Sequence, residues 1–422
     1  MINCIFNSND LNANGYEILD IDYGMPTSIV NKYQLVRSDG QVTTGQNFGE
    51  RKIKITGRIL ASNLKDLDEK LDILKTYFVG VNKNLDLTIS DTTRRYVGTM
   101  DSFKYNRVGQ SCGFEVGFTC DAFGKGITAT TLTMGIMTLA NESYGNTILG
   151  IYKTKPIIDM TVNYVDYYWG TKYIQIQNAV ANQTLRLSRT WNWYDRVVID
   201  GDAKTVSLYP TTKTVIDACD VTTGWTSTHT LSLETSSMKQ GVGALKNVMA
   251  GAHDHCDFIR LNATAIDLSA TTGKVIIPIF IPTPTAGAVA SVQLWIGKNA
   301  TLAADYDYWT VTKQWDGSAL ATNAWNYVVF NMATAVTGTN GTPNRALIKS
   351  ILVSIVGTAG TMQLNGALMD YITLQKAGVT AQIIDYEGIF PDLTVGATTL
   401  IVADEFTTRN ITLTGTYFKR WI

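Results

Sequence analysis

The sequence predicts a mainly β protein with one helix near its N-terminus, and three observations lead to this fold class. Short segments that alternate apolar and polar residues recur along the 422-residue chain, as half-buried strands do. Turn-forming residues separate these segments, and a single leucine stripe has helical spacing. The composition includes 35 glycines, 20 tyrosines and 9 tryptophans, residue types that favour turns and strands over helices.

The N-terminal third combines strands with the helix. Residues 51–59 alternate apolar and polar side chains, and Ser62 and Asn63 then offer N-cap side chains. Apolar residues follow at spacings of three and four, which predicts one face of a helix that packs on the sheet of its own domain. The members of this stripe are Leu64, Leu67, Leu71, Leu74 and Phe78. Gly80 marks the end of the helix.

Charge density and tryptophan content divide the chain into domains. Residues 218–378 carry far fewer charges than residues 1–125, and their short strands predict an inserted β-sandwich of jelly-roll type. Residues 126–150, rich in Gly, Thr and Asn, are predicted to form a linker or extended arm. Strands return in residues 151–217 and 379–422, with a hairpin turn at Asp200-Gly201-Asp202.

Composition argues against several classes of function. The formal charge of -1, from 35 basic and 36 acidic residues, gives no basic face, so sequence-specific nucleic-acid binding is not expected. Neither a secretory signal nor an apolar run of membrane length is visible, so we expect synthesis in a cytoplasm without membrane insertion. The five cysteines are expected to be reduced, although a bridge between Cys219 and Cys256 stays open.

Catalysis has little support, and we expect the protein not to be an enzyme. The sequence contains no nucleophile-elbow, zinc-protease or nucleotide-binding motif, and only three histidines. The segment His253–Asp257 gathers metal-capable groups, but their spacing does not match a usual zinc site, so a polar loop is favoured. Asp305 and Asp307 share a strand face, which keeps a polysaccharide hydrolase open as an alternative.

Aromatic residues of the 218–378 segment suggest a saccharide site, because aromatic rings stack on sugar rings and carboxylates accept hydroxyl hydrogen bonds. Trp295 and Trp325 lie within strands and are expected in the core. Two neighbouring segments, residues 305–309 and 314–317, instead place aromatic residues among polar ones. The saccharide-binding candidates are Trp309, Trp315, Tyr306, Tyr308, Asp305 and Asp316.

Motifs at both ends of the chain resemble the distal tail protein family of long-tailed, siphovirus-type bacteriophages. The N-terminal features are an R-x-I-x-I-x-G strand at 51–57, the leucine helix, Tyr96-Val97-Gly98 and the segment 114–121. The C-terminal features are a G-x-F-P-x-L-x-x-G segment at 388–396 and the ending Arg420-Trp421-Ile422. The order of these motifs along the chain carries the resemblance.

This resemblance implies an N-terminal α+β ring-forming domain at 1–125 and a galectin-like β-sandwich split into 151–217 and 379–422. It further implies a homohexameric ring, single or as two stacked rings, at the tail tip of the virion. The implied partners are the tail tube protein, a tail-associated hub protein and a receptor-binding protein. In this baseplate position the ring joins the tail tube to the adhesion apparatus.

The insert, residues 218–378, resembles a carbohydrate-binding module. Lys239–Lys246 is similar to the K-Q-G-x-G-x-L-K strand of such modules, and residues 324–328 and 369–372 are similar to their later strands. The resemblance implies weak, multivalent binding of host cell-surface saccharide. It requires no cofactor, but it suggests a structural Ca²⁺ at Asp220 and Asp370. The alternative from another class is a stand-alone carbohydrate-binding protein.

Overall fold

The computed structural model describes residues 2–34, 41–165, 171–269, 273–299 and 301–421. Antiparallel sheets make up most of this part of the chain, and a single α-helix accompanies them, so the predicted mainly β fold class is confirmed. The described residues include no helix with the length and apolar character of a membrane span. Ile422, the last residue of the C-terminal motif, lies outside the described residues.

The N-terminal region folds as one sheet with a helix packed on it. Its strands follow the order β2-β1-β7-β8-β9-β6-β3, and β4 and β5 form a separate hairpin. The elements are β1 (Ile2–Phe6), β2 (Asn9–Asp10), β3 (Tyr16–Asp22), β4 (Ser28–Gln34), β5 (Gln41–Phe48), β6 (Arg51–Leu60), α1 (Leu64–Tyr77), β7 (Lys83–Ile89), β8 (Thr92–Val108), β9 (Ser111–Cys120) and β10 (Gly124–Gly126).

Helix α1 begins and packs much as its sequence predicts. The Asn63 side chain accepts a hydrogen bond from the Asp66 N–H at 2.9 Å, which satisfies one of the free donors of the first turn. The buried stripe consists of Leu67, Leu71, Leu74 and Phe78. The prediction for Leu64 is wrong, because this first residue of the helix is 59% exposed.

The middle of the chain supplies most of a second β-sandwich, called the middle sandwich below. Its apolar residues alternate along the strands and meet in one core, as two packed sheets require. The predicted hairpin at Asp200 joins two of these strands. The elements are β11 (Thr130–Leu132), β12 (Ile136–Met137), β13 (Asn141–Ile148), β14 (Pro156–Val165), β15 (Lys172–Asn178), β16 (Gln183–Arg189), β17 (Arg196–Asp200) and β18 (Thr205–Tyr209).

Next comes a third sandwich, called the insert sandwich. Its elements are β19 (Thr212–Asp217), β20 (Trp225–Thr226), β21 (Thr230–Glu234), β22 (Ala244–Val248), β23 (His255–Ile266), β24 (Gly273–Ile281), β25 (Ala286–Gly297), β26 (Tyr306–Val311), β27 (Ala324–Asn331), β28 (Gly338–Asn340), the short 3₁₀ helix η1 (Arg345–Leu347), β29 (Ile348–Gln363), β30 (Asn365–Met369) and β31 (Ile372–Lys376).

Two sheets enclose the apolar core of the insert sandwich. The first sheet, called the cleft sheet below, has the strand order β20-β23-β29-β25-β26-β28. The second sheet, called the docking sheet below, has the order β19-β31-β24-β30-β22-β21, and β27 pairs with β24. Cys219 and Cys256 are buried free thiols in this core, so the alternative of a bridge between them is not found.

The C-terminal strands return to the earlier sheets. They are β32 (Gln382–Ile383), β33 (Glu387–Gly388), β34 (Gly396–Asp404), β35 (Arg409–Tyr417) and β36 (Arg420–Trp421). Strand β34 lies between β13 and β15, and β35 pairs with β14, β11 and β12. The last strand, β36, pairs with β10 of the N-terminal sheet, where Arg420 forms an ion pair with Asp202 of the middle sandwich.

Residues 126–150 were predicted as a linker or extended arm, and the linker alternative is wrong, because β11, β12 and β13 pair with the C-terminal strands of the middle sandwich. The composition misled because β13 is an edge strand with mostly exposed or half-buried side chains. An edge strand of this kind needs few apolar residues, so it resembles a connecting segment in sequence.

The chain leaves and re-enters the middle sandwich at neighbouring points. Strand β18, before the insert sandwich, pairs with β32 after it, through Ser207 and Ile383. A Cβ atom added to Gly378 would overlap the Pro210 carbonyl oxygen, so the outgoing and returning segments touch there. Strand β19 pairs with β31, which brings residues 212–217 into the insert sandwich, earlier than the predicted start at 218.

Candidate functional site

The outer face of the cleft sheet carries polar and aromatic side chains because its strands alternate. In β25, Val292, Leu294 and Ile296 are buried in the core, so Gln293 and Trp295 point to the opposite face. The neighbouring strands have the same alternation. Leu352 and Ser354 of β29 and His255 and Asp257 of β23 are the partners on this face.

Three aromatic rings form a continuous patch at one side of this face. The Trp295 ring stacks on Tyr308 of β26, with centroids 4.6 Å apart and planes at 17°, and it also contacts Tyr306 at 4.7 Å. The Trp295 Nε1–H donates to the Gln293 Oε1 at 2.9 Å, which fixes the indole on the sheet. Aromatic cross-strand pairs of this kind hold ring positions without a ligand.

Buried acid groups lie on the same face, two strands away from the patch. Asp257 is only 4% exposed, and its Oδ2 lies 3.1 Å from the His255 Nε2. The other imidazole nitrogen lies 2.5 Å from the Asp254 carboxylate. Burial raises the pKa of Asp257, although Ser354 and His255 act in the opposite direction. Its Oδ1 is buried without a hydrogen-bond partner among the described residues.

These groups line an open cleft of about 500 Å³. Its lining residues are Asp254, His255, Asp257, Gln293, Trp295, Leu302, Leu352, Ser354, Val356 and Gly357. The volume lies within the range of small-ligand sites, about 300–1,000 Å³. An aromatic wall beside fixed hydrogen-bond acceptors is an arrangement that can stack a sugar ring and bind its hydroxyl groups.

Of the predicted saccharide residues, Tyr306 and Tyr308 belong to the aromatic patch. The prediction for Trp309 is wrong, because this ring is 3% exposed and lies in the core, on the opposite face of β26. Trp315 is also misplaced in the prediction. It stacks on Tyr164 of the middle sandwich, with centroids 3.9 Å apart, and is therefore part of the contact between the two sandwiches.

The two predicted carboxylates lie outside the cleft lining. The Thr342 N–H donates to Asp305, whose carboxylate also lies 3.3 Å from the Lys298 Nζ, and these contacts lower the pKa of Asp305 to about 2. Asp316 is exposed and binds the Ser318 N–H and hydroxyl of its own turn. Asp307 is buried between Arg345 and Thr339, so the alternating pair does not form two carboxylates that face one substrate.

Sequence reasoning missed most of the cleft. Trp295 and Trp325 were expected in the core, but both are half-buried on the outer faces of their sheets. The predicted polar loop at 253–257 is partly wrong, because His255 begins β23 and brings Asp257 to the cleft floor. The polar residue Gln293, two positions before Trp295, was the available signal that this strand face is not core.

The possible calcium residues flank one loop. The backbone N–H groups of Lys239 and Gln240 donate to the Asp370 Oδ2, and those of Val242 and Gly243 donate to the Asp220 Oδ1. Backbone donors thus occupy oxygens that a cation would otherwise share. The buried Asp370 Oδ1 and Gln240 Oε1 have no hydrogen-bond partner among the described residues, and both are oxygens of the kind that a cation takes.

The described residues contain no group of three or more His, Cys, Asp or Glu side chains suited to a metal. Backbone carbonyls would therefore have to supply most of the six or more oxygen ligands that Ca²⁺ requires. Calcium binding stays a prediction.

We expect Asp370 to make the stability of the insert sandwich fall as pH rises from 4 to 7. Burial raises the pKa of Asp370 to about 6 from its ordinary 3.8, so the folded state holds this proton more tightly than the unfolded state. Its stabilising contribution is therefore present below pH 3.8 and lost as pH passes 6, with a change of roughly 3 kcal/mol.

Thermal unfolding between pH 4 and 8 checks this expectation. In the Asp370→Asn variant, the melting temperature should no longer fall over this pH range for this reason. The control variant Asp316→Asn, which makes the same change at an exposed carboxylate, should show the same fall as the wild type. Added Ca²⁺ at pH 7 should raise the melting temperature of the wild type if Asp370 is a ligand. A flat response to both Ca²⁺ and a chelator would contradict the calcium site.

The comparisons with known proteins found weak structural likenesses. No protein-family model matches the sequence, and no curated protein matches it significantly. The Dit protein of phage SPP1 is 13% identical with a TM-score of 0.38, over 49% of this chain and 82% of that one.

Two further solved structures cover more of the chain. A chain of the phage P2 baseplate in its activated conformation with Ca is 10% identical, with a TM-score of 0.26 over 90% of this chain and 99% of that one. The CBM22 tandem domain of Paenibacillus barcinonensis Xyn10C is 9% identical, with a TM-score of 0.26 over 66% of this chain and 93% of that one. At these identities and TM-scores, the likenesses do not assign the chain to a family.

Proposed function

We propose that this protein is a structural subunit of a phage tail tip that also binds host cell-surface saccharide through its insert sandwich. The observation that carries the saccharide part is the cleft, which is lined both by Trp295, stacked on Tyr308, and by the buried Asp257 carboxylate two strands away. Polar aromatic clefts on the face of a β-sandwich suit sugars, because the rings cover C–H faces and the carboxylates accept hydroxyl protons.

The tail-tip part rests on the motifs at the two ends of the chain and on how their residues fold. Phe390 of the G-x-F-P segment is buried in the middle sandwich, and the neighbouring Asp392 forms ion pairs with Lys153 and Lys155. Arg420 of the terminal motif connects the N-terminal sheet to the middle sandwich. The first motif therefore closes the middle sandwich, which we assign to the galectin-like domain, and the terminal motif joins it to the N-terminal sheet, which we assign to the ring.

In this proposal, residues 1–125 form a hexameric ring and the insert sandwiches lie at its periphery. Tail tube, hub and receptor-binding proteins would then be its partners in the virion, and no catalytic role is assigned. Six linked copies of a weak sugar site increase overall avidity by about 10²–10⁴ without any new contact. A shallow, open cleft can therefore be sufficient for adhesion.

The test of the ring is the mass of the full-length protein by light scattering at several concentrations. We expect a concentration-independent hexamer or dodecamer. A stable monomer that still binds host cells would contradict the ring and favour a stand-alone carbohydrate-binding protein. A ring that does not bind intact host cells or their purified wall polysaccharide would contradict the saccharide part.

A further inference from the structure

We propose that the cleft of the insert sandwich selects uncharged glycans and rejects anionic ones, with Asp257 as the residue that sets this preference. The inference rests on the proposed saccharide function and specifies its substrate class. Host surfaces offer both neutral polysaccharides and polymers that carry carboxylate or phosphate groups. The charge of the cleft decides between these two classes.

Carboxylates outnumber basic side chains in the lining of the cleft. Asp254 and Asp257 contribute two carboxylates and His255 at most one positive charge, and the lining includes no Lys or Arg. Lys298, which directly follows β25, is engaged by Asp305 and the Thr342 carbonyl. An anionic sugar in the cleft would therefore meet two carboxylates with no Lys or Arg in the lining to compensate, and such like-charge contacts are costly when partly buried.

The floor of the cleft also has the opposite hydrogen-bonding character to an anion site. Anion sites present guanidinium groups and converging N–H donors, whereas the buried charged group of this floor is the Asp257 carboxylate, which is an acceptor. The Asp257 Oδ1 lacks a partner among the described residues, and the Gln293 Oε1 already receives the Trp295 indole N–H. A sugar hydroxyl that approaches the Asp257 carboxylate from the cleft donates a hydrogen bond to it, and a carboxylate or phosphate on the sugar cannot.

Ser354 and His255 hold Asp257 in place from the neighbouring strand and from its own strand. The carboxylate is therefore positioned before a ligand arrives, which lowers the cost of binding. Trp295 supplies affinity for any sugar ring, and Asp257 supplies the distinction between neutral and anionic rings. The two roles are separable by mutation.

The experiment compares matched neutral and anionic polysaccharides on the full-length protein. Affinity electrophoresis or quenching of tryptophan fluorescence would measure binding to dextran and carboxymethyl-dextran, to methyl-esterified and de-esterified homogalacturonan, and to host wall polysaccharide before and after removal of its anionic polymers. For every polymer that binds, we expect the affinity for the anionic form to be at least about tenfold lower than the affinity for the neutral form.

Two variants assign the preference to this cleft. Asp257→Asn keeps the side-chain shape but loses a charge-assisted hydrogen bond, so the affinity for neutral polymers should fall about tenfold. The ratio between the affinities for the neutral and the anionic form of each polymer should also become smaller. Asp254→Lys, at the exposed rim, should reverse this preference, so that the anionic form of each polymer binds more tightly than the neutral form. Asp316→Asn should leave both affinities unchanged, since Asp316 lies outside the cleft lining and its carboxylate binds the Ser318 N–H and hydroxyl of its own turn.

The outcomes separate this inference from the function on which it rests. The charge selection would be overturned if anionic polymers bound as tightly as their neutral partners and substitution of Trp295 abolished this binding. Saccharide binding by the cleft would then still stand. The absence of binding to every polymer and to host wall material would overturn both. Equal effects of Asp257→Asn and Asp316→Asn would also contradict the assignment to Asp257.

Discussion

Replacing Trp295 with alanine should remove saccharide binding while leaving the protein folded and assembled. The indole forms the wall of the cleft and the centre of the patch with Tyr306 and Tyr308. Central aromatic anchors contribute about 2 kcal/mol or more to binding, which corresponds to roughly a 30-fold loss of affinity at each site. On cells, where several sites act together, the loss should be larger.

The measurement is binding of fluorescently labelled protein to intact host cells, with thermal unfolding of each variant as a check on folding. Trp325→Ala is the matched control, because Trp325 is a half-buried tryptophan of the docking sheet that packs against Phe280. Trp295→Phe should retain part of the binding. Unchanged binding by Trp295→Ala, with lost binding by Trp325→Ala, would move the site to the other sheet.

The local patterns of the sequence predicted much of the fold, because they report burial directly. The stripe from Leu67 to Phe78 is buried as expected, and the turn after Asp200 joins the expected hairpin. The linker prediction for 126–150 was wrong because an edge strand buries little surface. Which distant strands pair, as β36 does with β10, depends on the three-dimensional path of the chain and has no local signal.

The site was less predictable than the fold. Tyr306 and Tyr308 were identified, but Trp309 lies between them on the opposite face, as strand alternation requires. Applying the same alternation to Gln293 and Trp295 would have placed that tryptophan outside. The segment His253–Asp257 was visible in the sequence, but the role of Asp257 could not have been found, because its partner Ser354 lies in β29, which pairs with β23 only in the folded protein.

Trp315 illustrates how a polar sequence context can conceal a structural contact. Its neighbours Gln314 and Asp316 suggested an exposed ring, but the side chain reaches across to the middle sandwich. There it stacks on Tyr164, and Trp193 and Tyr327 complete the cluster, with Tyr327 supplied by the insert sandwich. The cluster joins the two sandwiches, so we expect it to hold the direction in which the cleft faces.

Replacing Trp315 with alanine should therefore uncouple the two sandwiches. We expect a loss of roughly 2–4 kcal/mol, because tryptophan truncation in a packed cluster leaves a cavity at the contact with Tyr164. Differential scanning calorimetry should show the single unfolding transition of a coupled pair separate into two, and proteolysis should become faster at the connections near Pro210 and Gly378.

The control again is Trp325→Ala, which removes a similar ring from within the insert sandwich. It should destabilise that sandwich without increasing cleavage at the connections. Saccharide affinity of the isolated Trp315→Ala protein should stay unchanged, because Trp315 is not part of the cleft lining. Adhesion of the assembled ring should nevertheless fall, since avidity requires all clefts to face the same surface. Identical cleavage rates in both variants would contradict the role of this cluster in orienting the cleft.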